Sequence, residues 1–158
     1  MRNKTVGLVL ALCFLATGAC FAEIRDMQAG TWKLDAAHSQ LSRYMGRNDV
    51  VDYEWSLFKT KVKISGVDAH GTAMHSEWRG DFDGRDYAVT GDPTSDMRSY
   101  TKVNDHTLNF TAKHGGQVVY SGTIVVAPGG RTRTVTTWAM RGTKKIRSVA
   151  VYQKVSLL

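Results

Sequence analysis

Cysteine is almost absent from this 158-residue chain, and both of its cysteines, Cys13 and Cys20, lie near the start. If the chain is cut after Ala22, the remainder has no cysteine. That excludes disulfides, a thiol nucleophile and cysteine-based metal sites from the rest of the protein. Proline is scarce too, with two residues, and no apolar run after residue 22 approaches the roughly 20 residues that a membrane-spanning helix needs.

The first 22 residues predict a secretory signal peptide. Arg2 and Lys4 supply a basic start, an apolar stretch runs from Val6 to Leu15, and small residues surround a cleavage site after Ala22. We therefore expect an exported protein, periplasmic or secreted, with one domain over 23–158 and no stable membrane insertion. A minor alternative is lipid attachment through Cys20.

Charge and motifs narrow the classes of function. The net charge of +7 includes two basic residues of the leader, so the remainder carries +5. These charges are scattered along the chain and not gathered on one element, which argues against nucleic-acid binding. No phosphate-binding loop, dinucleotide fingerprint, nucleophile elbow or zinc-protease motif occurs. We predict no catalytic residues, no metal and no cofactor.

Period-two alternation recurs after the leader, as in Leu108, Phe110 and Ala112 against Thr107, Asn109 and Thr111. Glycine, asparagine and aspartate turns divide these runs at hairpin spacing. The pattern predicts an all-β, antiparallel, up-and-down barrel of about ten strands, because closure removes exposed edges. A two-sheet sandwich is the alternative. The predicted strands are 30–35, 50–57, 60–66, 72–82, 86–90, 97–103, 107–113, 117–126, 131–139 and 146–154.

Three strings carry a resemblance to a known family: GTWKLD at 30–35, FDGRDYAVTGDP at 82–93 and VAVYQK at 149–154. Together they resemble small, secreted, lipocalin-like bacterial proteins over nearly the whole mature chain. The resemblance implies a barrel of the lipocalin or fatty-acid-binding-protein type. It also implies that Gly30 and Trp32 close one end of that barrel, with Arg147 as the basic residue packed on Trp32.

The apolar face of the strands is the only sizeable candidate for a binding surface. A barrel of this size either fills its interior with side chains or holds one small ligand. We expect a small hydrophobic molecule as partner. The predicted interior binding residues are Tyr53, Trp55, Met74, Trp78, Leu108, Phe110, Tyr120 and Ile124.

The alternative is a solid core with no ligand, in an envelope protein-interaction or inhibitor module. The long connection 36–49 would then carry the contacts, as a short helix or a lid. Its Arg43, Tyr44, Met45 and Arg47 are of types favoured at interfaces.

Two groups of polar residues are predicted to be structural. His75, Glu77, Arg79 and Asp81 alternate with Met74 and Trp78, which places them on the outer face of a strand. Asp35, His38 and Ser39 are too close in sequence for a catalytic triad. A turn or helix-start role suits Asp35 or Ser39 better.

Overall fold

A computed structural model describes residues 27–56 and 58–155. The predicted signal peptide, with Cys13 and Cys20, and Leu57 in the predicted second strand lie outside the described residues. Ten strands follow one another along the chain. They are β1 (Gly30–Leu34), β2 (Arg47–Trp55), β3 (Thr60–Val67), β4 (Ala73–Gly80), β5 (Tyr87–Thr90), β6 (Met97–Asn104), β7 (Thr107–His114), β8 (Gln117–Val126), β9 (Thr132–Arg141) and β10 (Lys144–Lys154).

Every strand pairs antiparallel with its neighbours in sequence, and β1 also pairs with β10, so the sheet closes into a barrel. The prediction of an all-β, up-and-down barrel of about ten strands is confirmed, and the sandwich alternative is wrong. The seam at β5 is the narrowest, with two paired positions to β4 and two to β6. No helix among the described residues is long and apolar enough to cross a membrane.

Two boundary differences lengthen strands at the cavity end of the barrel, while at the other end β4 stops at Gly80, two residues before its predicted end. Strand β2 begins at Arg47, three residues before the predicted start. The β9–β10 hairpin is also longer, because β9 runs to Arg141 and β10 begins at Lys144. Only Gly142 and Thr143 then form the turn, with Gly142 at a φ of 61° that favours glycine. Both differences extend the barrel wall where it surrounds the cavity described below.

One end of the barrel is closed by apolar packing, and we call it the closed end. Trp32, Val62, Trp78, Leu108 and Val126 are each at most 1% exposed. The Trp32 indole N–H donates to the backbone carbonyl of Gln28 at 2.8 Å, which fixes the helical residues just before β1 beneath the barrel. Alternation explains this core, because in-facing residues of every strand meet here. Gly30, at the start of β1, lies opposite Tyr53 of β2.

The connection after β1 begins with a single 3₁₀ turn, Ala36–His38. The Asp35 carboxylate accepts from the backbone N–H of His38 at 3.3 Å, as a helix-capping residue does. Ser39 Oγ accepts from the backbone N–H of Val151 at 2.9 Å and donates to the Asp35 carbonyl at 2.7 Å. These contacts give Asp35 and Ser39 the turn role expected from the sequence, and they tie the connection to β10.

Candidate functional site

The barrel interior is hollow above the closed end. A cavity of about 320 Å³ lies between Arg133, Tyr53 and Tyr152 at its inner limit and the opposite end of the barrel, which we call the mouth. The mouth is formed by the 41–48 segment, Asp68 and Ala69 after β3, Asp92 and Thr94 after β5, Val119 near the start of β8 and Ala139 near the end of β9. Apolar side chains such as Ile64, Phe110, Ile124, Val135 and Ala150 line much of its wall. The interior therefore has room for a guest molecule.

The structure divides the eight predicted interior residues between two levels. Tyr53, Met74, Phe110, Tyr120 and Ile124 line the cavity. Trp55, Trp78 and Leu108 belong to the packing of the closed end instead. Leu108 is fully buried and Trp78 is 1% exposed, and the Trp55 ring meets the Phe82 ring edge-on at 6.0 Å. Alternation indicates which face of a strand a side chain occupies, but it does not indicate its height in the barrel.

Arg147 was predicted to pack on Trp32, and that prediction is wrong. Arg147 is exposed and lies across from Trp138 on the outer side of the β9–β10 pair. The in-facing positions of β10 are those of Ser148, Ala150 and Tyr152, so a residue of the opposite parity faces outward.

The cation on Trp32 is Arg133, on β9. Its guanidinium carbon lies 4.9 Å from the Trp32 ring centroid, 5.0 Å from that of Tyr53 and 4.8 Å from that of Tyr152. The Lys154 ammonium lies 5.0 Å from the same Trp32 ring. Three aromatic faces thus surround one guanidinium, and each such contact contributes on the order of 1 kcal/mol.

Arg133 is 2% exposed and is incompletely hydrogen bonded. Within residues 27–56 and 58–155, no atom accepts a hydrogen bond from its Nε or Nη1. Leaving a buried donor without an acceptor costs about 1–3 kcal/mol, and more for a charged group. The inner limit of the cavity therefore carries a positive charge, and two of its nitrogen donors make no hydrogen bond to the described residues.

The tyrosines beside Arg133 do not supply the missing negative charge. Burial raises the pKa of Tyr152 to about 12, against the opposing effect of the Arg133 charge. Burial also raises the pKa of Tyr53, with Tyr100 adding to the rise and Arg133 acting against it. Both hydroxyls are neutral at physiological pH, and that of Tyr152 donates to the Asn48 carbonyl at 3.0 Å.

A second buried arginine, Arg98 on β6, is paired. Its Nη2 donates to Asp92 Oδ2 at 2.9 Å and to the Tyr120 hydroxyl at 2.7 Å. The side chains of Arg98 and Asp92 are 6% and 3% exposed. The hydroxyls of Tyr120 and Ser95 also donate to Asp92 Oδ2, at 3.0 and 2.6 Å. This network joins the β5–β6 loop to β6 and β8 across the narrow seam of the barrel.

Asp92 is ionised in this network. Burial acts to raise the pKa of its carboxyl, but hydrogen bonds from Ser95 and Thr94 and the charge of Arg98 outweigh burial and lower the pKa. Thr94 donates through its hydroxyl and its backbone N–H, at 2.7 and 2.8 Å. The mouth-side arginine is therefore neutralised by a fixed carboxylate.

The connection 36–49 lies over the mouth. Gln40 exchanges two backbone hydrogen bonds with Val149, at 2.8 and 2.9 Å, which anchors the segment on β10. Leu41, Tyr44, Met45 and Gly46 then line the cavity. The Tyr44 ring lies 4.2 Å from the guanidinium of Arg141 at the β9–β10 turn and also contacts Arg43. The segment therefore contains the short helix that was one expectation, at Ala36–His38, and its residues 41–46 border the mouth in the position of a lid, which was the other.

The polar face of β4 points outward, as alternation predicts. Glu77 bridges Lys61 and Arg79 on the barrel surface, at 3.2 and 2.8 Å. His75 shares a hydrogen bond with Ser65 at 3.0 Å. Across the described part of the chain, no group of three or more histidine, cysteine, aspartate or glutamate side chains is placed to hold a metal ion.

Arg98, Arg133 and Asp92 were missed by the sequence reading, although a signal for the two arginines was present. Arg98 has the parity of Tyr100 in β6, and Arg133 has the parity of Val135 in β9. A charge at an in-facing position of an amphipathic strand marks a buried ionic group.

Comparisons with known proteins found a similarity to a solved structure. No family model and no curated protein matches the chain. Among solved structures, the chain is similar to a redesigned β-barrel, mFAP1, bound to DFHBI, with 14% sequence identity and a TM-score of 0.44. The match covers 84% of this chain and 99% of the other. The assignment of a closed barrel therefore comes from the pairing of the ten strands within this chain.

Proposed function

We propose that this protein binds and carries a small, mainly apolar molecule inside the barrel. The observation that carries the proposal is the cavity of about 320 Å³ with a largely apolar wall and a mouth at one end. Pockets for small ligands run from about 300 to 1,000 Å³, with apolar linings and a few placed polar groups. The cavity lies at the lower limit of that range, so the ligand is compact or a single short chain.

The resemblance to lipocalin-like barrels supports the same role. Trp32 closes one end beneath the cavity, and the lid covers the other. We propose a binding role, and Asp92, a buried carboxylate of the cavity, is held as the counterion of Arg98.

The alternative of an interaction module assumed a solid core. The cavity removes that premise, and the 36–49 segment on which the alternative depended lies over the mouth. The position of the segment therefore favours a role in ligand binding over a role in docking another protein.

We propose further that the carrier works outside the cytoplasm, because of the leader over 1–22. The mass of the protein purified from its own host checks this proposal. A chain that begins at Glu23 supports export, a lipid-modified Cys20 supports anchoring, and an uncut Met1 contradicts both.

Filling the cavity tests the binding role directly. Ala150 lines the cavity, whereas Val125 lies on the outer face of β8 and is 43% exposed. We expect purified protein to bind one equivalent of the neutral fluorescent probe N-phenyl-1-naphthylamine. Ala150→Phe should weaken that binding by about tenfold or more, which corresponds to about 1.4 kcal/mol.

Val125→Phe is the matched control, since it adds the same ring outside the barrel and should leave affinity unchanged. Equal binding by the two folded variants, or no binding by the wild-type protein, would contradict the proposed function.

A further inference from the structure

The cations on the outer surface of the barrel fall into two groups. Those of β3 are paired with acids: Lys61 lies 3.2 Å from Glu77, and Lys63 lies 2.6 Å from Glu54. After Asp105, by contrast, the sequence contains eight lysines and arginines and no aspartate or glutamate. Strands β7 to β10 are adjacent in the barrel, so one side of the wall has no acid of its own.

Four of the cations on that side gather on the β9–β10 hairpin. Arg141 and Lys144 flank its two-residue turn, and Lys145 and Arg147 follow on β10. Arg43 in the lid is a fifth. All five side chains are exposed, and none of them forms an ion pair with any residue in 27–56 or 58–155. Unpaired charges of one sign make the tip of the hairpin a locally positive surface.

Apolar and aromatic side chains are exposed between these cations. Met140 lies directly across from Lys145 and is 61% exposed. The Lys145 ammonium lies 5.5 Å from the outward-facing Trp138 ring. The Tyr44 ring is 40% exposed and lies 4.2 Å from the guanidinium of Arg141. We call this surface the hairpin patch, and its residues are Arg43, Tyr44, Trp138, Met140, Arg141, Lys144, Lys145 and Arg147.

The composition of the hairpin patch points to one kind of partner. Lysine and arginine are attracted to the anionic headgroups of lipids. Tryptophan and tyrosine favour the interface between headgroups and hydrocarbon, and an apolar side chain such as Met140 gains free energy when it enters that interface. A nucleic acid or an acidic polysaccharide satisfies the cations and leaves Met140 in water. An exposed apolar group with a charged border is typical of an interaction surface.

We propose that the hairpin patch docks the protein on the surface of an anionic lipid bilayer. The cations lie among the headgroups, and Trp138 and Met140 enter the interface between them. The inference goes beyond the binding of a ligand and does not depend on it, because the patch lies on the outer face of the barrel.

Cosedimentation with lipid vesicles tests the docking. At about 0.1 M salt, where charges act over about 10 Å, the purified protein should bind vesicles of equal parts phosphatidylglycerol and phosphatidylcholine. It should not bind vesicles of phosphatidylcholine alone. Replacing Lys144→Gln and Lys145→Gln together should weaken the binding about tenfold or more, because each cation near an anionic surface contributes about fivefold in affinity.

The matched control replaces Lys61→Gln and Lys63→Gln together. This variant lowers the net charge by the same amount, but it removes cations that are paired on the wall at β3. Its binding to the anionic vesicles should be nearly unchanged. Equal weakening in the two double variants, or equal binding of the wild-type protein to both kinds of vesicle, would overturn docking through the hairpin patch.

The depth of the contact separates a bilayer from a soluble polyanion. Phospholipids brominated on the acyl chain near the headgroup should quench the tryptophan fluorescence of the bound protein. Trp138→Phe should remove most of that quenching, because the other three tryptophans pack at the closed end of the barrel. Quenching that persists in Trp138→Phe would overturn the proposed orientation.

Heparin serves as the soluble polyanion for comparison. Binding to heparin as tight as binding to the anionic vesicles, without quenching by the brominated lipid, would assign the hairpin patch to a soluble polyanion and overturn membrane docking. Failure of N-phenyl-1-naphthylamine to enter the barrel would contradict the carrier role alone, so the two proposals fail separately.

Discussion

A buried arginine near the mouth of this barrel pairs with a buried carboxylate, whereas a buried arginine at the inner limit of the cavity lies among three aromatic rings. Arg98 pairs with Asp92 in a network that includes Ser95, Thr94 and Tyr120, and of its buried nitrogens only Nε lacks an acceptor among the described residues. Arg133 lies among Trp32, Tyr53 and Tyr152, with two N–H-bearing nitrogens lacking an acceptor in the described structure. The protein thus neutralises one buried arginine with a carboxylate, whereas among the described residues the other is stabilised by aromatic rings.

Removing the carboxylate of the mouth network should cause the largest loss of stability. Asp92→Ala leaves the Arg98 charge buried and unpaired, which typically costs 3–5 kcal/mol, or about half the stability of an ordinary domain. Urea unfolding followed by tryptophan fluorescence gives the free energy of unfolding.

The control for Asp92 is Asp86→Ala, which breaks a partly exposed pair with Lys113 at 2.6 Å. A pair with that exposure contributes about 0–1 kcal/mol. Equal losses in the two variants would show that the mouth network does not stabilise the barrel.

Replacing the two arginines in turn sharpens the contrast. Arg98→Met strands the Asp92 carboxylate and should cost about 3–5 kcal/mol. Arg133→Met leaves no carboxylate of the described residues unpaired, and it removes a guanidinium whose Nε and Nη1 lack an acceptor. The loss of three aromatic contacts should cost about 3 kcal/mol, and removal of the two unsatisfied donors should offset part of that cost, so the net loss should be smaller than for Arg98→Met. The same urea titration measures both, and a larger loss for Arg133→Met would contradict the view that its charge is uncompensated.

Acid should weaken the mouth network reversibly, with a smaller effect than deletion of the side chain. The folded-state pKa of Asp92 lies below its ordinary value of 3.8. Its contribution to stability is therefore fully present above pH 3.8 and is lost as the pH falls through the folded-state pKa. Asp92→Asn should show a shallower fall in melting temperature between about pH 5 and pH 2 than the wild type. Identical slopes would exclude Asp92 as a source of the acid sensitivity.

The sequence alone predicted the strands and the closed barrel because both depend on local patterns. Alternation of apolar and polar residues and the glycine and aspartate turns act over a few residues. Strands β3 and β8 accordingly begin where they were predicted to begin, at Thr60 and Gln117. Strand β2 was predicted to begin three residues too late, because a bulge in β2 between Asn48 and Val50 interrupts the alternation and the residues before it are held by pairing with β3.

The candidate site was less predictable, because a cavity depends on height within the barrel as well as on facing inward. Tyr53 and Trp78 share in-facing parity, yet the first lines the cavity and the second fills the closed end. Arg147 was chosen because the family resemblance implies a basic residue near the last strand, and the in-facing parity of Arg133 on β9 was not used. Arg147 lies outside, whereas Arg133 is buried.

Native mass spectrometry of the mature protein purified from its own host tests the carrier role most directly. We predict a bound species of small mass that survives gentle ionisation and is released on denaturation. Protein that is repeatedly recovered at its bare polypeptide mass, and that stays at that mass after incubation with N-phenyl-1-naphthylamine, would contradict the carrier account.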